Sequence, residues 1–335
     1  MSNAFRSIAW EHGCIAVQSL AGMLGPATFL LRYGRQAQPL QVAPWTFEPE
    51  ASSLPPILRR LRGEWPCVPF GSDAERDLPP GWSASGETIS RDEPFHGRSS
   101  NEEWRFLDAP EGSVALAIDY PESHPIRSLI RRVTPDPNAA AINFDLEVIA
   151  RRACSLPIAL HPTFRMPHEP GALRLHPGPY DHVRTYPGTV EPGASLFAPD
   201  VRFARLEEAP TRAGGVVDAS RLPLKGHVEE LLLLVNCLGS FALHDGENGW
   251  RVRITWDPRH FPCLQLWISN RGRQEYPWNG RHLGLGVEPV CGAFDLGPAV
   301  SNAPNPIAAA GAPTGYRFSP DEHFVTRYRI EVEVA

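Results

Sequence analysis

One carboxylate, Glu288, sits in the middle of the apolar run GLGVEPVCGAF (residues 284–294), immediately before Pro289. His161 stands between apolar residues and a proline in LHPTF. Histidine gives and takes protons near neutral pH with little tuning, and a carboxyl does so once burial raises its pKa. Three other segments are dense in polar and aromatic groups. RGEWPCVPFG holds Arg62 and Trp65, FHGRSSNEEW holds His96 and Arg98, and CLQLWIS holds Gln265 and Trp267. Each residue also has a plainer reading. A glutamate before a proline is commonly a strand-end surface residue. His161 fits a hydrogen-bonded core histidine, Trp267 a core indole, Arg62 a partner for a surface carboxylate, and His96 a loop cap.

The elements that must position these groups read as strands. In AINFDLEV, Ile142, Phe144, Leu146 and Val148 point one way and Asn143, Asp145 and Glu147 the other. SVALAIDY, WRVRITW and RYRIEVEVA alternate in the same way, which marks half-buried strands of open antiparallel sheet. GCIAVQSLAG and GPATFLLRYG read as a first hairpin. Helical periodicity is confined to LPPILRRLRG, where Leu54, Ile57, Leu58 and Leu61 share a face. Segments 77–100, 162–195 and 298–315 are rich in proline and glycine and read as long loops. The expectation is all-β: one large antiparallel β-sandwich with few short helices, a single domain over residues 1–335.

The totals narrow the function classes. Of 335 residues, 42% are hydrophobic and 21% charged, enough for a sizeable core. A net charge of −6 without any basic block argues against nucleic acid or an anionic membrane as partner. ELLLLVNCLGSFAL is too short and broken to span a bilayer, and no secretory signal pattern opens the chain. The six cysteines, at 14, 67, 154, 237, 263 and 291, form no CxxC pair, so reduced thiols in a cytoplasmic protein are expected. Histidines 161, 168, 176 and 182 match no metal-ligand spacing, and no P-loop, GxSxG or dinucleotide fingerprint occurs.

Taken together and in order, five segments resemble the aldose 1-epimerase (galactose mutarotase-like) superfamily, closest to the branch that includes the hexose-6-phosphate 1-epimerases. RGEWPCVPFG is similar to that branch's RGG-x-P…PxFG, HGRSSNEEW to HGFAR-x-x-x-W, and HPTF to H-P-x-F. LQLW resembles the strand near the sugar and VEPVCG the terminal glutamate motif. The resemblance implies a mutarotase supersandwich that interconverts anomers of a free or modified aldose, with no cofactor and no metal. It implies Glu288 as base and His161 as acid, with Arg62, His96, Gln265 and Trp267 as substrate contacts. Sugar C–H faces pack well on an indole such as Trp267.

Two positions depart from the family pattern. The arginine of HGFAR is replaced by Ser100, with Arg98 two residues earlier, so a phosphorylated sugar is expected only if Arg98 reaches in. Residues 235–243 lack the family's sugar-contacting aspartate, leaving Asn236 or Asp245 as substitutes. Rival readings on the same fold are a carbohydrate lyase or other sugar-processing enzyme, and a non-catalytic sugar-binding protein.

Overall fold

The computed structural model describes residues 4–85, 92–320 and 322–335. Two large antiparallel sheets dominate. The nine-stranded sheet runs, from one edge, through Arg221–Leu222, Leu173–Pro177, Ser240–Asp245, Trp250–Trp256, Phe324–Val334, Ala141–Ala150, Ile126–Pro135, Val114–Asp119 and Arg105–Leu107. The eight-stranded sheet runs through Arg202–Phe203, His182–Thr185, Val228–Val235, Cys263–Asn270, Leu283–Cys291, Ile158–Leu160 and Pro66–Cys67. Its eighth strand, Thr163–Arg165, also pairs with Leu283–Cys291. A four-stranded sheet is built from the N-terminal residues, including the expected hairpin of Gly13–Gln18 with Leu24–Leu30.

The alternating sequences make the nine-stranded sheet. Ile142, Phe144, Leu146 and Val148 are buried, and so are Trp250, Val252, Ile254 and Trp256. These side chains join Leu232, Leu234, Leu264, Leu266, Ile268, Leu285 and Val287 of the other sheet in one apolar core. Alternation then dictates where the remaining residues of the eight-stranded sheet go. Leu231, Leu233, Cys263, Trp267 and Val290 emerge on its opposite face and pack into a second cluster with Trp45, Trp65, Trp278 and Phe294. Glu288, Gln265 and Gly286 occupy positions of that same parity.

The LPPILRRLRG helix is a single turn, Pro56–Arg59, preceded by the 3₁₀ turn Pro49–Ser53. No described helix exceeds five residues, and none is long and apolar enough to cross a membrane. The segment read as a loop at 162–195 instead contains the strands Thr163–Arg165, Leu173–Pro177 and His182–Thr185. Each has only three to five residues between prolines or turns, too few for a period of two to show. Likewise 298–315 carries most of the helix Gly297–Ser301 and all of Pro306–Ala309. Residues 86–91 of the 77–100 segment lie outside the described residues. All six cysteines are free thiols.

Candidate active site

The face of the eight-stranded sheet that turns away from the main core opens into a cavity of about 550 Å³. Glu288, His161, His96, Gln265 and Trp267 all line it. Glu288 and Gln265 are register partners on adjacent strands, as are Gly286 and Trp267, so the four side-chain positions form one block on one face. His161 lies between two short strands, Ile158–Leu160 and Thr163–Arg165, which both pair with the Glu288 strand. The interruption at His161–Pro162 turns the imidazole over the glutamate, and its backbone N–H is held by the Trp65 carbonyl at 2.8 Å.

Glu288 is completely buried. Its Oε2 accepts a hydrogen bond from Gln265 Nε2 at 2.8 Å, while Oε1 has no donor and stands 3.5 Å from His161 Nε2. Gly286 makes room for that carboxyl: a Cβ there would lie 2.2 Å from Oε1. Burial pushes the Glu288 carboxyl well above the ordinary carboxylate range, partly offset by the Gln265 hydrogen bond. Burial also pulls His161 down to about 3, so the imidazole is neutral at neutral pH. The His161 ring stacks on Trp65 at 4.1 Å, and its Nδ1 is 3.3 Å from Thr163 Oγ1. One face of the imidazole and one ring nitrogen are therefore occupied, leaving Nε2 toward Glu288 and the cavity.

His96 approaches His161 edge-on at 5.4 Å. Its Nδ1 accepts from the Gly71 N–H at 3.1 Å, which places the proton of the neutral ring on Nε2. Burial holds His96 well below its usual pKa. Trp267 is tied to the buried Glu229: the indole N–H donates to Oε1 at 2.7 Å, and Ser269 donates to Oε2 at 3.1 Å. Arg273 joins the same carboxylate at 3.3 Å and lies 4.6 Å above the Trp278 ring.

Two expected sugar contacts are not brought to the cavity. The Arg62 guanidinium turns to the carbonyls of Arg60 (3.0 Å) and Gly25 (3.3 Å) and lies over Phe5. Arg62 bridges to Val42 and Glu64 to Leu24 of the N-terminal sheet, which leaves Trp65, not Arg62, at the cavity wall. Arg98 pairs with Glu102 at 2.5 Å and Glu93 at 3.8 Å. It begins the 3₁₀ turn Arg98–Ser100 and does not line the cavity. Of the substitutes for the missing aspartate, Asp245 caps a turn through Asn248, and Asn236 bonds Asp181.

The carboxylates that do line the cavity include Asp295 and Glu191, with Glu229 just behind Trp267, and sequence reasoning missed all three. A usable signal existed for Glu229. GHVEELLLLV puts two acids at the head of an apolar run, and strand alternation must turn at least one inward. Both are buried: Glu230 on the core side accepts from the Leu196 and Phe197 N–H groups, and burial raises it to about 7. A larger groove, about 1160 Å³, opens beside Cys154–Leu156, but arginines, thiols and neutral groups line it, with no carboxylate or histidine among the described residues.

No protein-family model and no curated protein matches the chain. Solved structures do. A galactose mutarotase-like protein from Lactobacillus casei superposes with a TM-score of 0.63 at 13% identity, over 98% of this chain and 100% of that one. The aldose epimerase homologue from C. elegans gives 0.64 at 13% identity, over 99% of both chains. A galactose mutarotase-like protein from Clostridium acetobutylicum gives 0.60 at 13% identity, over 98% and 95%. The fold is thus that of the galactose mutarotase-like proteins across essentially the whole chain.

Proposed function

We propose that the protein is an aldose 1-epimerase that uses Glu288 and His161 as a proton-sharing pair. The observation that supports this most is the 3.5 Å approach of His161 Nε2 to a Glu288 oxygen with no other partner, at the floor of a sugar-sized cavity. With the carboxyl raised and the imidazole lowered, the pair carries one proton at neutral pH. One proton is what ring opening needs. One member takes the proton of the C1 hydroxyl as the C1–O5 bond breaks and C1=O forms, and the other gives its proton to O5. After rotation about C1–C2, O5 attacks the other carbonyl face, its proton returns to the pair, and the carbonyl oxygen is protonated. Proton count and charge balance in both directions, and the residue that received a proton in opening donates it in closure.

Gln265 orients the carboxyl, and His96 Nε2–H offers a donor to the sugar. Trp267, with its N–H occupied by Glu229, contributes ring surface. The reaction as written requires no cofactor or metal. Six free thiols suit a reducing compartment, the cytoplasm, and the shared apolar core supports reading residues 1–335 as one domain.

The test is two-dimensional exchange NMR on a panel of reducing sugars. The wild type should speed α/β exchange of at least one, and the rate should fall as pH rises through the raised pKa at which Glu288 loses the shared proton. No acceleration of any sugar would sink the reading. Unsaturated or cleaved products would favour a lyase, and binding without turnover a sugar-binding protein.

A further inference from the structure

Three buried oxygens around the cavity lack any protein donor: Glu288 Oε1, Gln265 Oε1 and Asp295 Oδ1. Of the three, Gln265 Oε1 and Asp295 Oδ1 act as acceptors, so what completes them must bring protons, while the Glu288 carboxyl holds the proton it shares with His161. The first two belong to the pair and its partner. Asp295 stands apart, in the turn after the Glu288 strand.

That turn is fixed in place. Phe294 and Gly297 have φ of 54° and 79°, and the Asp295 carbonyl accepts from Ser72 N–H at 3.2 Å. Gly71 packs so close that a Cβ there would lie 2.4 Å from the Asp295 carbonyl oxygen. Gly71 also holds His96 at both its N–H and its carbonyl. One backbone contact therefore registers Asp295 against His96. Burial raises the Asp295 carboxyl above the ordinary carboxylate range, and the Arg76 charge and a hydrogen bond from Tyr186 oppose that rise. Among the described residues, Arg273 is the cation lining the cavity, and Glu229 at 3.3 Å and Glu191 at 3.7 Å already engage it.

We propose that Asp295 is a substrate-binding residue that accepts a hydrogen bond from a hydroxyl of an uncharged reducing sugar and disfavours a phosphorylated one. A hydroxyl supplies the proton that Oδ1 lacks. A phosphate brings negative charge, which the carboxylates of the wall oppose and Arg273, already engaged by Glu229 and Glu191, does little to offset. The inference deepens the epimerase reading and rests on it.

The experiment compares wild type and Asp295→Asn on glucose, galactose, their monodeoxy analogues and glucose 6-phosphate. For the sugar exchanged best, the asparagine variant should raise KM about tenfold or more, the usual loss of a hydrogen bond to a charged group, with a smaller fall in kcat. The penalty should vanish for the one monodeoxy analogue that lacks the held hydroxyl, and discrimination against the 6-phosphate should relax. An unchanged KM, an equal penalty on every deoxy analogue, or a change confined to the pH profile of kcat would overturn the assignment. Should the wild type exchange none of these sugars, the epimerase reading fails by itself. Asp295 is then judged by ligand-observed NMR of the same sugars: weaker binding by the variant supports it, and equal or absent binding refutes it.

Discussion

The two large sheets bury their strands differently. In the nine-stranded sheet, Ala141–Ala150 and Trp250–Trp256 alternate buried with partly or fully exposed positions. In the eight-stranded sheet, Val228–Val235, Cys263–Asn270 and Leu283–Cys291 are buried at every position. A strand covered on one side tolerates charge on the other. A strand covered on both sides must give each polar residue a partner or a task. Glu229 and Glu230 on the latter sheet have partners; Glu288 keeps one oxygen without any. The contrast separates the scaffold from the sheet that carries the cavity.

The largest break in this arrangement should come where a buried charge pair ties the nine-stranded sheet to the segment that bridges to the N-terminal sheet. Arg131, on the nine-stranded sheet, pairs in full burial with Glu64, which Tyr328 also contacts. Arg131→Leu should cost about 3–5 kcal/mol in urea unfolding, because it strands a buried carboxylate. A loss under about 1 kcal/mol would mean the pair contributes no such link.

Gly286→Ala comes next. The new methyl meets the end of the Glu288 side chain, so the carboxyl must move away from His161. Unfolding should show a loss of about 1–3 kcal/mol, and anomer exchange should fall about 100-fold for a displacement of this kind. Unaltered exchange would show that the position of the carboxyl does not matter.

A pH series sharpens the contrast further. The folded pKa of Glu288 lies above its unfolded value, so the folded state holds the extra proton and stability falls as pH rises from the unfolded value through the folded one. His161 is lowered to about 3, so stability falls as pH drops from about 6.5 towards 3, where the unfolded state binds the proton first. Glu288→Gln removes the first effect alone. Its melting temperature should gain on the wild type as pH rises above 5, and a constant difference across pH would refute the raised carboxyl.

The smallest effect belongs to the open sheet. Arg327 is 83% exposed and pairs with Asp145. Arg327→Ala should change stability by about 0.5 kcal/mol or less.

The same contrast decides what could be read in the sequence. AINFDLEV and WRVRITW announce themselves because one face meets water. LGLGVEPVC and VEELLLLV show no period, since both faces are buried, and the short strands among the prolines at 162–195 were too brief to register. Glu288, His161, His96, Gln265 and Trp267, chosen from the ordered segments, do surround one cavity. Arg62 and Arg98 do not, because a motif gives a residue's place in the chain but not the direction of a long side chain. Asp295 escaped notice because its place depends on a turn packed against Gly71, a contact between distant segments.

The central claim is that Glu288 and His161 share the proton that opens the sugar ring. Exchange NMR on Glu288→Gln at pH 7 tests it most directly, since glutamine keeps the shape and the Gln265 contact but cannot transfer the proton. A folded variant whose rate falls by about 10²–10⁴ is the predicted result. A folded variant within a few-fold of the wild type would contradict it.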